Sequence, residues 1–371
     1  MGIMTLTTFF SLYWTGTQTL RQRAAMIETL GAKSLDDLRF VLRRVFLFTI
    51  GIEAAGTLIL WVRFLADEPP WQALWSAAFH TVAAFCNAGF GLYDDNLTRY
   101  QGDPVVNLTI ISLIVLGGIG FPVMNDLVRR TPTGWKFNYS HLQLHSKLML
   151  VGTAGLLGGG TVIILAFEWN DVLADLSYAD KLFVAFFQST TTRTAGFNTI
   201  AIGQLTEATL FVMILLMMIG AGPCSTAGGF KVSTAMVLLV QSWCKFRGKT
   251  KVNVFHRSIS PETITRSLVS VMMFSVIGVV GLIFILSIEH SNQGHDVGTS
   301  RFLDSFFEVV SALGTVGLTT GITPLLSDPS RLVIIVLMFI GRIGPITTIV
   351  VLSNEPKEQF LQYPKEEVLL G

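Results

Sequence analysis

Charged side chains are scarce in this sequence. Only 14% of its 371 residues are Asp, Glu, Lys or Arg, whereas an ordinary soluble domain carries about 25%. The formal net charge is +1, so the chain lacks the basic excess typical of nucleic-acid binding, and no nucleic-acid partner is expected. A soluble protein is also disfavoured, because its helices would need polar faces.

Cysteines and enzyme signatures are equally sparse. Cys86, Cys224 and Cys244 are scattered and form neither a metal-binding spacing nor an evident disulfide pair. The six histidines are dispersed, and the sequence contains neither H-E-x-x-H nor G-x-S-x-G. We therefore expect no enzyme activity and no resident metal or cofactor. No cleavable signal peptide is predicted, because a basic region followed by a small-residue cleavage site is absent from the N-terminus.

Long apolar runs are abundant. Hydrophobic residues make up 51% of the chain, and its mean hydropathy is +0.58. A helix needs roughly 20 mainly apolar residues to cross a bilayer. The sequence therefore predicts an all-α membrane protein with spans at 46–64, 105–123, 148–167, 210–219 with its continuation, 268–288 and 332–352.

Basic and acidic residues alternate in the gaps between these spans. Basic clusters lie at 21–44, 129–147 and 245–266, with further lysines in the tail. Because basic loops remain in the cytoplasm, the acidic gaps are predicted to face outward from the inner (cytoplasmic) membrane. A negative outer face would concentrate cations. Simple sorting of basic residues to the inside would produce the same pattern.

Three segments in the acidic gaps share one pattern. Residues 79–90, 186–197 and 306–318 each read as a short aromatic-rich helix that ends in a polar-small-Gly-apolar tetrad. Each segment has an apolar span before it and another after it. Small-residue helix packing would explain one such glycine, but three matched copies on one side of the membrane favour re-entrant pore loops.

The glycine tetrads predict a cation pathway. Non-helical backbone at membrane depth is tolerated only where it is buried in protein or lines water. Rings of backbone carbonyl oxygens can replace the hydration shell of a potassium ion. Glycine suits such a strand because it adopts positive φ without a Cβ clash.

Five stretches carry a resemblance to a known family: FCNAGF at 85–90, TRTAGFNTI at 192–200, GPCSTAGGFK at 222–231, SALGTVGLTTGITP at 311–324 and GRIGPIT at 341–347. They resemble the Trk/Ktr/HKT superfamily of potassium transporters, most of all a KtrB-like, TrkH-related membrane subunit. The resemblance covers nearly the whole chain and implies span–pore helix–filter loop–span units around a central pore. The implied potassium-binding filter residues are Asn87, Ala88, Gly89, Phe90, Thr194, Ala195, Gly196, Phe197, Thr315, Val316, Gly317 and Leu318.

The resemblance also implies a gate where the apolar run after residue 210 is interrupted. Glycines and a proline between 220 and 229 leave a helical turn or two without regular hydrogen bonding. A flexible kink in a packed helix is the alternative. The stretch is not a nucleotide-binding P-loop, because it lacks G-x-x-x-x-G-K-[ST]. The implied gate residues are Gly220, Gly222, Pro223, Ser225, Thr226, Gly228, Gly229 and Arg342.

Charged residues near these segments raise further expectations. Arg342 lies inside the last predicted span, where a charge is costly. The resemblance implies that it contacts the gate, and snorkelling to the interface is the alternative. Lys231 either serves the gate or simply reaches the cytoplasm, and Arg193 either braces the filter loop or repels ions. Three residues at similar places in the short helices are expected to hydrogen-bond loop backbone: His80, Gln188 and Glu308.

The repeated units divide the chain at 1–39, 40–140, 141–258 and 259–371. The second range holds the filter at Gly89, the third the filter at Gly196 and the interrupted gating helix, and the last the filter at Gly317 and the C-terminal tail. The family has four units, so 1–39 is interpreted as the tail of a truncated first unit plus a cytoplasmic linker. A misplaced start codon or a genuinely truncated gene would explain this. A pore with one wall missing is expected not to conduct selectively.

The predicted function is potassium uptake as the ion-translocating subunit of a Ktr/Trk-type system, either passive or by symport, with sodium as a further candidate ion. The resemblance implies a homodimer and a cytoplasmic nucleotide-binding regulatory subunit of the KtrA/TrkA type. Two alternatives stay open: a truncated, non-conducting remnant, and a secondary transporter of another solute with charged contacts at the membrane midplane.

Overall fold

The computed structural model describes residues 35–130, 139–292 and 301–344, and within these ranges the chain is largely helical. A two-stranded antiparallel hairpin pairs β1 (Asn253–Val254) with β2 (Arg257–Ser258). The α-helices, in chain order, are α1 (Leu35–Phe64), α2 (Pro70–Phe85), α3 (Pro104–Gly118), α4 (Phe121–Arg130), α5 (Leu144–Glu168), α6 (Tyr178–Thr191), α7 (Glu207–Met218), α8 (Val232–Phe246), α9 (Pro261–Asn292), α10 (Arg301–Gly314) and α11 (Asp328–Ile343).

In the described part of the chain, three helices are individually long and apolar enough to cross a bilayer. The qualifying stretches are Arg43–Phe64 in α1, Leu144–Glu168, which is all of α5, and Pro261–Glu289 in α9. Their outer faces expose large apolar side chains such as Val62 and Ile283, which suits contact with lipid. The predicted spans at 46–64, 148–167 and 268–288 therefore lie within continuous helices.

The predicted span at 105–123 is divided between two helices. Helices α3 and α4 meet at a bend of 96°. At the bend, Gly120 has a φ of +92°, which glycine adopts without a steric penalty. A methyl group at Gly120 would collide with the carbonyl oxygen of Pro223. The bend therefore makes room for the chain between α7 and α8.

The two remaining predicted spans are only partly helical in the described ranges. Helix α7 ends at Met218 and α8 begins at Val232, so the apolar run after residue 210 is interrupted. Helix α11 covers the last span as far as Ile343, and residues 345–352 lie outside the described ranges. The N-terminal stretch 1–34 and the C-terminal tail also lie outside the described ranges. The predicted truncated first unit and several of the basic residues used to predict topology fall in these stretches.

Polar caps determine where several helices begin. Asp103 accepts hydrogen bonds from the backbone N–H groups of Val105 at 2.9 Å and Val106 at 3.1 Å, and Pro104 follows as the first residue of α3. Thr206 accepts from the N–H of Thr209 at 3.3 Å at the start of α7. Each cap satisfies donors that a helix start otherwise leaves without partners.

The helices pack in successive groups. Helix α2 packs against α1 and α3, α5 packs against α6 and α7, and α10 packs against α9 and α11. Contacts of α3 with α6 and of α7 with α10 join neighbouring groups. The second junction has a shared apolar core in which Met213 of α7 lies with Phe307 of α10 and Val316 beyond it. The short helices α2, α6 and α10 thus each pack against one long helix, α1, α5 and α9 respectively.

Candidate functional site

The chain leaves each of the three short helices by the same backbone path. Just after the helix, Asn87, Thr194 and Thr315 have φ values of +50°, +66° and +51°. Two residues further on, the three glycines have φ values of +71° at Gly89, +79° at Gly196 and +92° at Gly317. Positive φ is uncommon for a residue other than glycine. The three tetrads therefore share one unusual turn, and its first left-handed residue was not predicted.

The three glycines meet at one place. A methyl group on Gly89 would lie 2.7 Å from the carbonyl oxygen of Ala195 and 2.8 Å from the Cα of Gly196. A methyl group on Gly196 would collide with the carbonyl oxygen of Val316, and one on Gly317 would lie 3.7 Å from the Cα of Gly196. Gly196 is thus the central member of the three, and a side chain on Gly89 or Gly196 would clash with neighbouring backbone.

The residues around the glycines differ in exposure. Thr194, Ala195 and Phe197 are fully buried, and Leu318 is nearly so. Phe90, in contrast, is 69% exposed in the described chain. The turn at Gly196 is therefore enclosed by protein, whereas Gly317 is exposed beside the buried Leu318 and the turn at Gly89 is open on the side of Phe90.

Polar side chains of the short helices reach the chain that leaves each turn. The Nδ1 atom of His80 lies 2.7 Å from the carbonyl oxygen of Ser76, and its Nε2 lies 3.4 Å from the backbone nitrogen of Leu92. Nδ1 must donate to a carbonyl oxygen, so Nε2 is the acceptor. The expected bond to loop backbone is therefore present at His80.

The two equivalent residues make different contacts. Gln188 donates to the hydroxyl of Thr199 at 3.3 Å. Glu308 accepts hydrogen bonds from the hydroxyls of Thr319 and Thr323, the latter at 2.8 Å. Glu308 also bonds to the backbone of Thr320, as expected. The bonds to threonine hydroxyls were not predicted.

The interruption between α7 and α8 folds back on itself. The N–H of Gly220 donates to the carbonyl oxygen of Phe230 at 2.9 Å, and that of Val232 donates to Ala221 at 3.1 Å. Within this loop, the Ser225 hydroxyl donates to the carbonyl oxygen of Gly222 at 2.6 Å. We call residues 219–231 the interrupted segment, because these bonds give it a defined non-helical structure.

The interrupted segment lies against both the bend in the first group and the third turn. The N–H of Gly222 donates to the carbonyl oxygen of Gly118 at 2.8 Å. The Thr226 hydroxyl lies 3.4 Å from the carbonyl oxygen of Phe85, the last residue of α2. A methyl group on Gly228 would lie 2.7 Å from the carbonyl oxygen of Gly314. The segment therefore lies next to the ends of two short helices.

Two basic residues hold the interrupted segment. Arg342 of α11 donates from Nη1 to the carbonyl oxygen of Thr226 at 2.6 Å. Lys231 donates from Nζ to the carbonyl oxygen of Ala227 at 2.8 Å. The ammonium group of Lys231 thus turns back onto the segment.

Arg193 is buried beside the central turn. Arg193 is only 4% exposed. Among the described residues, its Nε and Nη2 atoms have no hydrogen-bond partner. The side chain lines a small cavity together with Ile114, Thr190 and Ala221. Its backbone carbonyl oxygen lies 3.5 Å from the side-chain amide nitrogen of Asn87. The contact between the two turns thus uses the backbone of Arg193.

The end of α1 and the loops on both sides of α2 carry paired charges. Arg63 bridges Asp67 at 2.8 Å and also contacts Asp103. Arg99 bridges Asp95 at 2.7 Å, and this bond lowers the pKa of the Asp95 carboxyl group. The acidic residues of this gap are thus partly neutralised by arginines, which reduces the negative field expected from the sequence.

No group of three or more His, Cys, Asp or Glu side chains converges anywhere in 35–130, 139–292 or 301–344. The oxygens near the meeting point of the glycines include the backbone carbonyls of Ala195 and Val316. Side-chain oxygens of Asn87, Thr194 and Thr315 are also buried there, without a hydrogen-bond partner among the described residues. Unhydrated backbone oxygens suit a weakly hydrated monovalent ion.

Sequence comparison gives consistent matches over the whole chain. The family described as "TrkH: Cation transport protein" matches residues 1–363. The Ktr system potassium uptake protein B of Vibrio alginolyticus is 36% identical over 375 residues, which cover 100% of this chain and 79% of that protein. The potassium/sodium uptake protein NtpJ of Enterococcus hirae is 35% identical over 353 residues, which cover 94% of this chain and 76% of that protein.

Structural comparison agrees at the level of the fold. The crystal structure of the potassium transporter TrkH from Vibrio parahaemolyticus superposes with a TM-score of 0.69 at 18% identity, and the match covers 89% of this chain and 68% of that one. The shared helical arrangement, the family match over 363 residues and the identity to Ktr-system proteins lead to one assignment. The chain belongs to the TrkH family of cation transport proteins.

Proposed function

We propose that this chain is the ion-translocating subunit of a Ktr/Trk-type system and carries potassium into the cell across the cytoplasmic membrane. One observation supports this above all others: the backbone at Gly196 touches the backbone at Gly89 and approaches that at Gly317. These glycines lie more than 100 residues apart along the chain. Their meeting at one place, beside the buried Gly196, is what a shared ion pathway requires.

The turns at these glycines form the filter. A potassium ion that enters loses its water, and backbone carbonyl oxygens take over its coordination. A side chain at Gly89 or Gly196 would occupy the space where neighbouring strands approach. The membrane potential drives entry with about 2.3 kcal/mol per charge for each 100 mV.

The interrupted segment is the gate. It lies against the ends of α2 and α10, and its backbone is held by a hydrogen bond from Arg342 to Thr226. Breaking that charged bond removes one of the contacts that hold the middle of the segment, beside those of Lys231 and of the Thr226 hydroxyl. The three filter units correspond to 40–140, 141–258 and 259–371, each with a short pore helix that follows a long helix.

The partners follow from the family. The relative named as a Ktr system protein is one component of a system, and a cytoplasmic nucleotide-binding regulatory subunit of the KtrA/TrkA type is the second component. The membrane subunit acts as a homodimer. Sodium is a candidate co-transported ion, because one relative is named as a potassium/sodium uptake protein.

Growth of a potassium-uptake-deficient bacterium on low potassium tests the proposal. The host should receive the complete gene, with its regulatory subunit, in three forms: unchanged, Gly196→Ala and Gly158→Ala. Gly158 is the matched control, because a methyl group there meets no atom within 4 Å. We expect rescue by the unchanged protein and by Gly158→Ala, and at least a tenfold lower uptake rate for Gly196→Ala.

Equal amounts of each variant in the membrane must be verified by immunoblotting. Rescue by Gly196→Ala as strong as by the unchanged protein would contradict the filter assignment. Absence of potassium uptake by an unchanged, membrane-inserted protein would instead favour the non-conducting alternative.

A further inference from the structure

Two hydroxyl groups bind the carbonyl oxygens that directly follow the filter glycines. The Thr191 Oγ1 donates to the carbonyl oxygen of Phe197 at 2.5 Å, and the Ser311 Oγ donates to that of Leu318 at 2.6 Å. Both hydroxyls lie in the last turns of short helices, α6 and α10. Both residues are buried, with 0% and 3% exposure. The same relationship therefore occurs in two of the three turns.

The third turn lacks this hydroxyl. At the corresponding place near the end of α2 stand Ala83 and Ala84. The residue after the glycine in this turn, Phe90, is exposed, whereas Phe197 and Leu318 are buried. The three turns thus share one backbone conformation. They differ in whether a hydroxyl group binds the carbonyl oxygen of the residue after the glycine.

The carbonyl oxygens of the residues that precede the glycines have different neighbours. Those of Ala195 and Val316 lie against the neighbouring glycines, Gly89 and Gly196 respectively. A carbonyl held by a hydroxyl of its own pore helix faces that helix, and it cannot also turn toward the neighbouring strand. At Gly196 and Gly317, the carbonyls before and after the glycine therefore have different surroundings.

We propose that Thr191 and Ser311 are positioning residues that set ion selectivity by holding the Phe197 and Leu318 carbonyls against the pore helices. The ion is then coordinated by the carbonyls of the residues preceding the glycines, such as Ala195 and Val316. This inference rests on the proposed potassium uptake. It also assigns Phe197 and Leu318 to anchoring the filter, with their carbonyls turned away from the ion.

Neighbouring hydroxyls provide matched controls. Thr190 donates to the carbonyl oxygen of Phe186 at 2.8 Å, and Thr192 donates to that of Ser189 at 2.7 Å. Both bonds stay within the same short helix. Thr190 and Thr192 are as buried as Thr191. Replacing either by valine removes a buried hydroxyl from the same turn of helix without touching the filter.

The test is competition between sodium and radioactive rubidium for uptake into proteoliposomes containing the complete protein. Thr191→Val and Ser311→Ala should lower the preference for rubidium over sodium about three- to tenfold, because each removes one hydrogen bond to a buried carbonyl. Thr190→Val and Thr192→Val should keep the unchanged preference. Thr191→Ser should restore it, since a serine hydroxyl can donate to the same carbonyl.

The outcomes separate the inference from the function it rests on. Uptake with unchanged preference in both Thr191→Val and Ser311→Ala would overturn the inference and leave the proposed function standing. An equal loss of preference in Thr190→Val would overturn it too, because the effect would then come from packing. No rubidium uptake by the unchanged protein would overturn both.

Discussion

The carboxylate of Glu168 accepts two hydrogen bonds from Thr206, one from its backbone N–H at 3.0 Å and one from its hydroxyl at 2.7 Å. Glu168 ends α5 and Thr206 caps α7, so the bonds join the ends of the two helices that enclose α6 and its glycine turn. Glu289 accepts the same pair of bonds from Ser327, again 38 residues later and at 3.0 and 2.7 Å. A glutamate clasp thus closes two of the groups.

Removing the clasp should destabilise the protein. Glu168→Ala leaves two donors of Thr206 without their acceptor, which should cost about 1–3 kcal/mol. Glu168→Gln should cost less, because the amide oxygen can accept both bonds. Thermal unfolding in detergent measures the difference, with the exposed Glu207→Ala as control. Unfolding of Glu168→Ala at the unchanged temperature would show that the clasp contributes no stability.

The bend between α3 and α4 should tolerate only glycine at its centre. Gly120→Ala combines a φ of +92° with a collision against the Pro223 carbonyl, so we expect a loss of stability of more than about 1 kcal/mol. Gly51→Ala, in the open interior of α1, should instead be neutral or stabilise by about 0.5–1 kcal/mol. The melting temperatures of the two variants should therefore shift apart, and equal shifts would contradict this account of the bend.

The bond from Arg342 to the interrupted segment should keep the gate shut. Arg342→Gln weakens a charged hydrogen bond to Thr226, a type of bond that contributes about 1.5–3 kcal/mol. We therefore expect roughly tenfold faster potassium flux through proteoliposomes lacking the regulatory subunit. Arg266→Gln, at an exposed pair with Glu262, should leave the flux unchanged. Slower flux in Arg342→Gln would mean that the arginine supports conduction.

The phenol of Tyr93 should lose its proton only at a higher pH than an ordinary tyrosine. Burial and its 2.7 Å hydrogen bond to Glu68 raise the pKa of Tyr93 well above its ordinary value, which is about 10. A raised folded-state pKa means that the associated stability is present below about pH 10 and declines at higher pH. Tyr93 should therefore still be protonated at about pH 11. Ultraviolet titration of the folded proteins to that pH should count the same number of phenolates in Tyr93→Phe as in the unchanged chain.

The denatured proteins serve as the control for that titration, because there the Tyr93→Phe variant should lose one phenolate. A difference of one phenolate already in the folded proteins would show that Tyr93 ionises normally.

Patterns that repeat along the sequence were the predictable part. The three glycine tetrads and the break after residue 218 could be located because each combines glycine with a change from apolar to polar composition. The membrane class followed from apolar length alone. The meeting of Gly89, Gly196 and Gly317 was expected through the family resemblance, and the described backbone brings them together.

Contacts between distant residues could not be predicted in the same way. The bend at Gly120 depends on where Pro223 lies, which no local pattern contains. The hydroxyl of Thr191 was unremarked within a run of four threonine and serine residues at 189–192, since only geometry separates the one that reaches the filter. The equal spacing of Glu168 and Glu289 from Thr206 and Ser327 was a signal in the sequence that a search for paired polar positions could have found.

Anomalous diffraction from crystals of the complete protein grown in rubidium tests the central claim most directly. We predict a rubidium peak where the turns at Gly89, Gly196 and Gly317 meet, within about 3 Å of backbone carbonyl oxygens. Rubidium peaks only at other places, with the three turns ordered and unoccupied, would contradict the claim that bare backbone at these glycines binds the transported ion.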